Sequence, residues 1–534
     1  MKMLKALILL GSLTLAFTGC KGLPKNIDDE KVVEQVDTQV EATEEEEEIE
    51  EIDGLRPEIY SLKEYLFESC YDDGIYGEPY MTGWYNSYSL SKETAEEYPA
   101  FAKTFKEKME AHDADIEAKH NQYLEESKAQ RQNGEELTYI LKSDFYLRRS
   151  DEKVVSILEQ LSTYEGGAHG FTSYSSYNFD VQNGEEIKLD SIVTDENAFR
   201  KDLALKLTDQ YGEESMGVIE NSLSEMSLND YQWSFDPNGL TFYFSNDIAS
   251  YSSGVLSATL PYDSSFLTNN YTLKSNEGYI AGVPILIDDS NHIDPILVAD
   301  GITFTPEYDP EGYDMGVIES IKISKDGKEL SIPELYFFDM DAYLIQLSDG
   351  KQYLYFIVTA ESDWHNSFLI SLDGDMEIKA KNYYSIGSSN DAEAGTEVVP
   401  YDPADFALAS RFDLLSTYSG TRPYEVTSDG KLNPLDDYYY TQISPNMDLV
   451  SKMELTVPVV DEDGKETGET AKLPSGTHYQ IIRTNGEDIV DCTIEDGRII
   501  RFNVEINTDD GYIDDIEIDG VNAYDIFETL WYAG

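Results

Sequence analysis

The chain has 534 residues, more than one hydrophobic core sustains, since cores rarely grow past roughly 250–300 residues. Its 105 acidic residues far outnumber 38 basic ones, giving a net charge of −67; phosphate backbones need clustered Lys and Arg, so nucleic acid is excluded as a partner. A hydrophobic content of 40% with 39 tyrosines is ample for buried cores, while the acidity favours solubility, repels anionic lipid and attracts cationic proteins.

At the N-terminus, Lys2 and Lys5 precede an apolar run, Leu7 to Phe17, and Thr18-Gly19 leads into Cys20. The run is too short to span a bilayer, which takes roughly twenty residues. It resembles a bacterial lipoprotein signal over residues 1–19, with Cys20 as the lipid-attachment residue and Phe17 where leucine is usual. An ordinary secretory signal cut near Gly19 is the other reading. Either one places the mature chain outside the cytoplasm. Lipid on Cys20 would be its route to the membrane, because no later segment reaches spanning length, and two acyl chains give stable anchoring. If Cys20 carries lipid, Cys70 and Cys492 remain; they are either a disulfide or two unpaired thiols.

Residues 20–56 read as a disordered acidic tether. Between Asp28 and Asp53, fourteen acids and one base contribute −13, leaving −54 for the rest of the chain. Such a segment cannot bury enough apolar surface to fold and extends by self-repulsion. Structure is expected from about Pro57. Phe101, Phe105, Met109, Ile116 and Tyr123 recur at helical spacing within Lys92 to Gln130, which predicts one or two amphipathic helices. Strands follow over Tyr139 to Tyr146 and Val154 to Tyr164, helix over Asp195 to Leu228, and strands again from Tyr231 to Tyr262. This order predicts an α+β module, helices packed on antiparallel sheets, divided as 57–150 and 151–275.

From about Tyr279 the pattern changes to short alternating runs separated by Asp326-Gly327, Asp349-Gly350, Asp373-Gly374, Asp429-Gly430, Asp463-Gly464, Asn485-Gly486 and Asp496-Gly497. These pairs suit the positive backbone angles of tight hairpins. The expectation is a mostly antiparallel β region, 279–475, arranged as propeller blades or as a sandwich. A small β unit, 476–534, follows with a short helix at Ala523 to Leu530.

The most specific internal motif is Tyr164-Glu165-Gly166-Gly167-Ala168-His169-Gly170, followed by Tyr177-Asn178-Phe179-Asp180, Asn183-Gly184, Trp233-Ser234-Phe235, Asn238-Gly239 and Leu260-Pro261-Tyr262. Together these resemble the extracellular domain shared by RsiV-type anti-sigma factors and PdaC-type peptidoglycan deacetylases, over residues 58–270. The resemblance implies binding, since in RsiV that domain binds lysozyme, a cationic wall-cleaving enzyme. Tyr164, Gly166, Gly167, His169 and Tyr177 are the candidate ligand-binding residues. His169, at an exposed turn tip among three glycines, has three roles open to it: contacting a ligand, acting as a general base, or bonding its own turn.

The catalytic roles of those families find no counterpart. Only Met1 to Lys5 precede the apolar run, so no sigma-binding segment is expected. The histidines are His112, His120, His169, His292, His365 and His478, with no close pair of the kind a deacetylase metal site needs; His112 and His120 would lie about 12 Å apart along a helix. Ser-x-x-Lys at Ser89–Lys92 and Ser150–Lys153 lacks the companion motifs of penicillin-binding enzymes. Asp461-Glu462-Asp463-Gly464 has the acids of a calcium loop, but Lys472 stands in place of the closing glutamate, so a hairpin turn is expected, with adventitious calcium left open. Tyr353 to Phe356 and Tyr438-Tyr439-Tyr440 suit strand packing or, if exposed, recognition. The chain is therefore expected to be a non-catalytic envelope lipoprotein with no metal or cofactor, binding a wall component or a cationic wall-active protein. The alternative is a glycan-modifying enzyme with its site in the C-terminal half.

Overall fold

The computed structural model describes residues 54–534 except 73–74, 134–136, 168–169, 213–215, 245–255, 275, 286–295, 299–301, 309–317, 326, 338, 361–363, 389–394, 442–447, 510–511, 529 and 533–534. The signal segment, Cys20 and nearly all of the acidic tether therefore lie outside the described residues. Strand accounts for 51% and helix for 19%. The long helices all lie in the first half, giving α+β followed by mostly antiparallel β, as the sequence predicts.

The first sheet is built on a long hairpin, β1 (Ile59–Asp72) and β2 (Ile75–Leu90). The chain then crosses over through α1 (Lys92–Glu97) and α2 (Pro99–Gln132). Ser91 caps α1 by accepting from the Thr94 amide, and Pro99 opens α2, where a missing N–H costs nothing. The crossover returns β3 (Tyr139–Ser150) parallel to β2, with Met81 opposite Tyr139. Next come β4 (Val154–Tyr164) and β5 (Phe171–Asp180), both antiparallel. α2 lies across one face and buries Phe101, Phe105, Met109 and Ile116 against Phe145, Leu147, Leu141 and Tyr139.

Asp195 caps α3 (Glu196–Tyr211), which with α4 (Met216–Glu225) covers a small sheet of β6 (Gln232–Asp236), β7 (Gly239–Phe244) and β8 (Leu256–Leu260). Arg148 on β3 fastens this sheet to the first. Its guanidinium holds both oxygens of the buried Asp236 at 2.8 and 2.7 Å, and Ser234 and Thr241 also donate to that carboxylate.

β9 (Tyr279–Gly282) begins a stack of three layers. The outer one comprises β10 (Ile296–Val298), β11 (Ile302–Tyr308), β12 (Ile318–Lys325) and β13 (Lys328–Ile332). The middle one joins β14 (Asp339–Gln346), β15 (Gln352–Thr359), β16 (His365–Ser371) and β17 (Glu377–Asn382) to β9. Leu354, Phe356 and Val358 face the outer layer, whereas Tyr353, Tyr355 and Ile357 face the third. A strand buried on both faces reads as a continuous apolar run, which explains Tyr353 to Val358. Stacked sheets, not radial blades, are the arrangement found.

The third layer starts at β18 (Ser385–Ile386). β19 (Thr396–Val398) leaves it to pair with β1 in the first sheet, Tyr60 opposite Val398. β20 (Phe406–Asp413) and β21 (Thr417–Val426) then continue into a large sheet, whose core runs from Leu414 through Leu455 and Tyr479 to Phe527. Cys492 is a free thiol buried in that core. All seven glycines of the Asp-Gly and Asn-Gly pairs, from Gly327 to Gly497, have positive φ. The expected C-terminal helix is one turn, Ala523–Ile526, capped by Asn522.

Arg56 ties the start of the body to three distant segments. It donates to the carbonyls of Ser150, Gly278 and Tyr401, pairs with Asp402 at 3.2 Å, and faces the rings of Tyr279 and Tyr401. Among the described residues no helix is long and apolar enough to cross a membrane.

Candidate functional site

The Gly-rich motif is the turn between β4 and β5. Gly166 and Gly167 have φ of +88° and +119°, and a Cβ on Gly166 would fall 2.8 Å from Leu137 Cδ1. The glycines thus have a conformational reason to be there, and the Tyr164 hydroxyl donates to the Gly167 carbonyl at 3.2 Å. Ala168 and His169 lie outside the described residues.

Tyr177 lies on the α2 face of the sheet. It is half-buried against Phe145 and donates to Glu159 Oε2 at 3.3 Å. Glu159 belongs to an interior network centred on His112. The His112 Nδ1 lies 2.9 Å from Asp113 Oδ1, and its Nε2 lies 3.2 Å from Glu159 Oε1 and 3.1 Å from Ser143 Oγ. Burial alone would lower the imidazole's pKa, but hydrogen bonds to the two carboxylates outweigh it and hold it up at about 9. Ser, His and Asp meet here, but the raised pKa favours the protonated imidazole, and Ser143 donates to the Glu159 carboxylate at 3.0 Å. The network is buried and positions α2 on the sheet.

The opposite face of the same sheet carries a cavity of about 530 Å³, closed by β14, β16 and β19. Side chains two apart on a strand share a face, so Lys63 and Tyr65 on β1, Asp144 and Tyr146 on β3, and Asp339, Asp341 and Tyr343 on β14 all line it, with His365 and Glu397. Four carboxylates and one lysine meet there. Lys63 approaches Asp339 at 4.0 Å and lies 4.4 Å from the Trp84 ring centre, which Lys142 also approaches at 4.6 Å. Trp84 in turn donates to Asp144 Oδ1 at 2.7 Å. Burial pulls Lys63 down, but Asp339, Asp144 and Asp341 more than compensate and raise it.

Asp341 and Glu397 make no salt bridge among the described residues. Asp341 opens into the cavity, yet protein surrounds it; desolvation first, then the neighbouring Asp339 and Glu397, push it up to about 7. Desolvation also raises Glu397 and Asp144. Among the described residues no three His, Cys, Asp or Glu side chains are placed to hold a metal ion. The Asp461 to Gly464 segment is a hairpin turn, whose carbonyls receive the guanidinium groups of Arg483 and Arg501.

Sequence reasoning singled out none of the cavity residues. Alternation in Asp339-Met340-Asp341-Ala342-Tyr343 would have put both acids on one strand face; nothing local says that this face meets β1 and β3. Trp364 and Tyr383 are among the exposed aromatics elsewhere, whereas Tyr353, Tyr355 and Tyr439 are buried.

No family model matches the chain, and no curated protein matches it. Among solved structures, a member of the DUF3298 family from Bacteroides fragilis is similar, with 18% identity and a TM-score of 0.28, over 39% of this chain and 94% of that one. A DUF3298 family protein from Pseudomonas aeruginosa is similar with 15% identity and a TM-score of 0.25, over 38% of this chain and 90% of that one.

Proposed function

We propose that the chain is a non-catalytic binding protein of the cell envelope, held to the membrane through lipid on Cys20, and that its cavity seats a positively charged group of a wall component or of a cationic wall-active protein. The observation that carries this reading is the imbalance inside the cavity, four carboxylates against Lys63, with Lys142 acting on Asp144 and with Asp341 and Glu397 in no salt bridge among the described residues. A cationic group would relieve their mutual repulsion and replace lost solvation. The net charge of −67 steers such a ligand inward. The Met1 to Cys20 pattern supports the location.

Calorimetric titration of the chain freed of its first twenty residues, against lysozyme and solubilised peptidoglycan at low and moderate salt, tests the proposal. Binding to one of them should weaken roughly tenfold or more in Asp341→Asn/Glu397→Gln, which is about 1.4 kcal/mol. Retention of neither, or identical affinity in the variant, sinks it. One observation favours the enzyme reading instead: a carboxyl titrating at about 7 beside other carboxylates is suited to general acid–base work on a glycan. Release of reducing sugar or acetate from peptidoglycan, abolished by Asp341→Asn, would decide for it.

A further inference from the structure

The cavity does not end at its carboxylates. Tyr65 lines it, and Phe67 follows on the same face of β1, about 7 Å further along at roughly 3.4 Å per residue. The two are 73% and 63% exposed. Leu66 between them points inward against the α2-side core, so the alternation spends one residue on packing and turns two rings outward. Opposite them on β2 stand Trp84 and Thr82, with Asn86 opposite Lys63. The rings thus stand beside the half-buried Trp84, among the polar and charged side chains of Lys63, Asn86 and Thr82.

We propose that the ligand is a glycan bearing free amino groups, lying along β1 with sugar rings on Tyr65 and Phe67 and an amine in the cavity. This rests on the cavity being the binding site. A protein hot spot fills a desolvated apolar pocket, which rings as exposed as Tyr65 and Phe67 do not provide. A pyranose has a C–H face with a polar rim, and matches single rings set among hydrogen-bonding side chains. The negative ring faces attract polarised C–H groups and ammonium alike. Charge selects within the sugars. The chain's net charge of −67 repels uronic and phosphate-bearing polymers, and the carboxylates of Asp341 and Glu397, in no salt bridge among the described residues, accept from an ammonium.

The test is titration with a chitosan oligosaccharide, its fully N-acetylated counterpart and an oligolysine, using the chain freed of its first twenty residues. Chitosan oligomer should bind, and Tyr65→Ala and Phe67→Ala should each weaken it roughly tenfold while Tyr65→Phe keeps it. Both sites are exposed, so unchanged melting curves confirm that the variants fold. Equal or tighter binding of the N-acetylated oligomer overturns the amine requirement. Chitosan binding indifferent to both alanine variants overturns the aromatic platform. If oligolysine alone binds, and loses affinity only in Asp341→Asn/Glu397→Gln, the glycan inference fails while the cavity reading stands. Failure of all three probes overturns both.

Discussion

His112 is the clearest place to test the electrostatics of the first module. Its side chain is 3% exposed and lies between Asp113 and Glu159, so its proton is held by the fold and released on unfolding. A rise from 6.5 to about 9 corresponds to about 3 kcal/mol, at roughly 1.4 kcal/mol per unit. Because the folded value is the higher one, this stabilisation is complete below about pH 6.5 and disappears as the pH climbs through about 9. Urea unfolding across that range should show stability falling by up to roughly 1.4 kcal/mol per pH unit more steeply in the native protein than in His112→Gln. Imidazole NMR of the native protein gives a second view, which does not depend on the variant folding. A His112 that loses its proton at or below about pH 6.5, or equal pH slopes in the two proteins, would refute the reasoning.

Asp341→Asn should raise stability at neutral pH and leave it unchanged near about pH 4, as measured by denaturation at both. The folded carboxyl titrates above its ordinary value, so the native protein loses stability as pH rises through that window and the amide does not. Asp236→Ala should cost about 3–5 kcal/mol, because it strands the buried Arg148 guanidinium; a loss below about 1 kcal/mol in chemical denaturation would contradict the pairing. Gly166→Ala should cost about 1–2 kcal/mol through its positive φ. Gly83→Ala should cost more, since its Cβ would fall 1.7 Å from the Leu141 carbonyl and force β2 from β3. Comparing the two melting temperatures checks that order.

The legible parts of this fold are those whose signal is local. Phe101, Phe105, Met109, Ile116 and Tyr123 announce the α2 stripe, and all are buried as their spacing requires. The same stripe places His112 inward, three residues after Met109 and four before Ile116. Turn pairs such as Asp349-Gly350 mark hairpins because the backbone needs positive φ at the glycine. The β1–β2 hairpin escaped notice: its many tyrosines and polar residues give no clean two-residue alternation, for one face meets α2 and the other meets cavity and solvent. The cavity itself was not legible. Lys63, Asp144, Asp341 and Glu397 come from four segments, and a strand's pattern shows which side is buried without naming the strand that covers it.

The pairing of β1 with β19 also has a consequence in time. Tyr60 and Val398 are partners, so the first sheet gains its last strand only once the chain has grown by 338 more residues. At about 5–20 residues per second, synthesis alone puts roughly 17–70 s between those two events. During that interval the β1 edge is open, with its hydrogen-bonding groups free to recruit another strand. Glu397, which arrives on the same segment, completes the cavity at that moment. On the proposed reading, ligand competence would be a late property of the nascent chain, and a truncated N-terminal module would display the aromatic rings of β1 without the pocket they lead into.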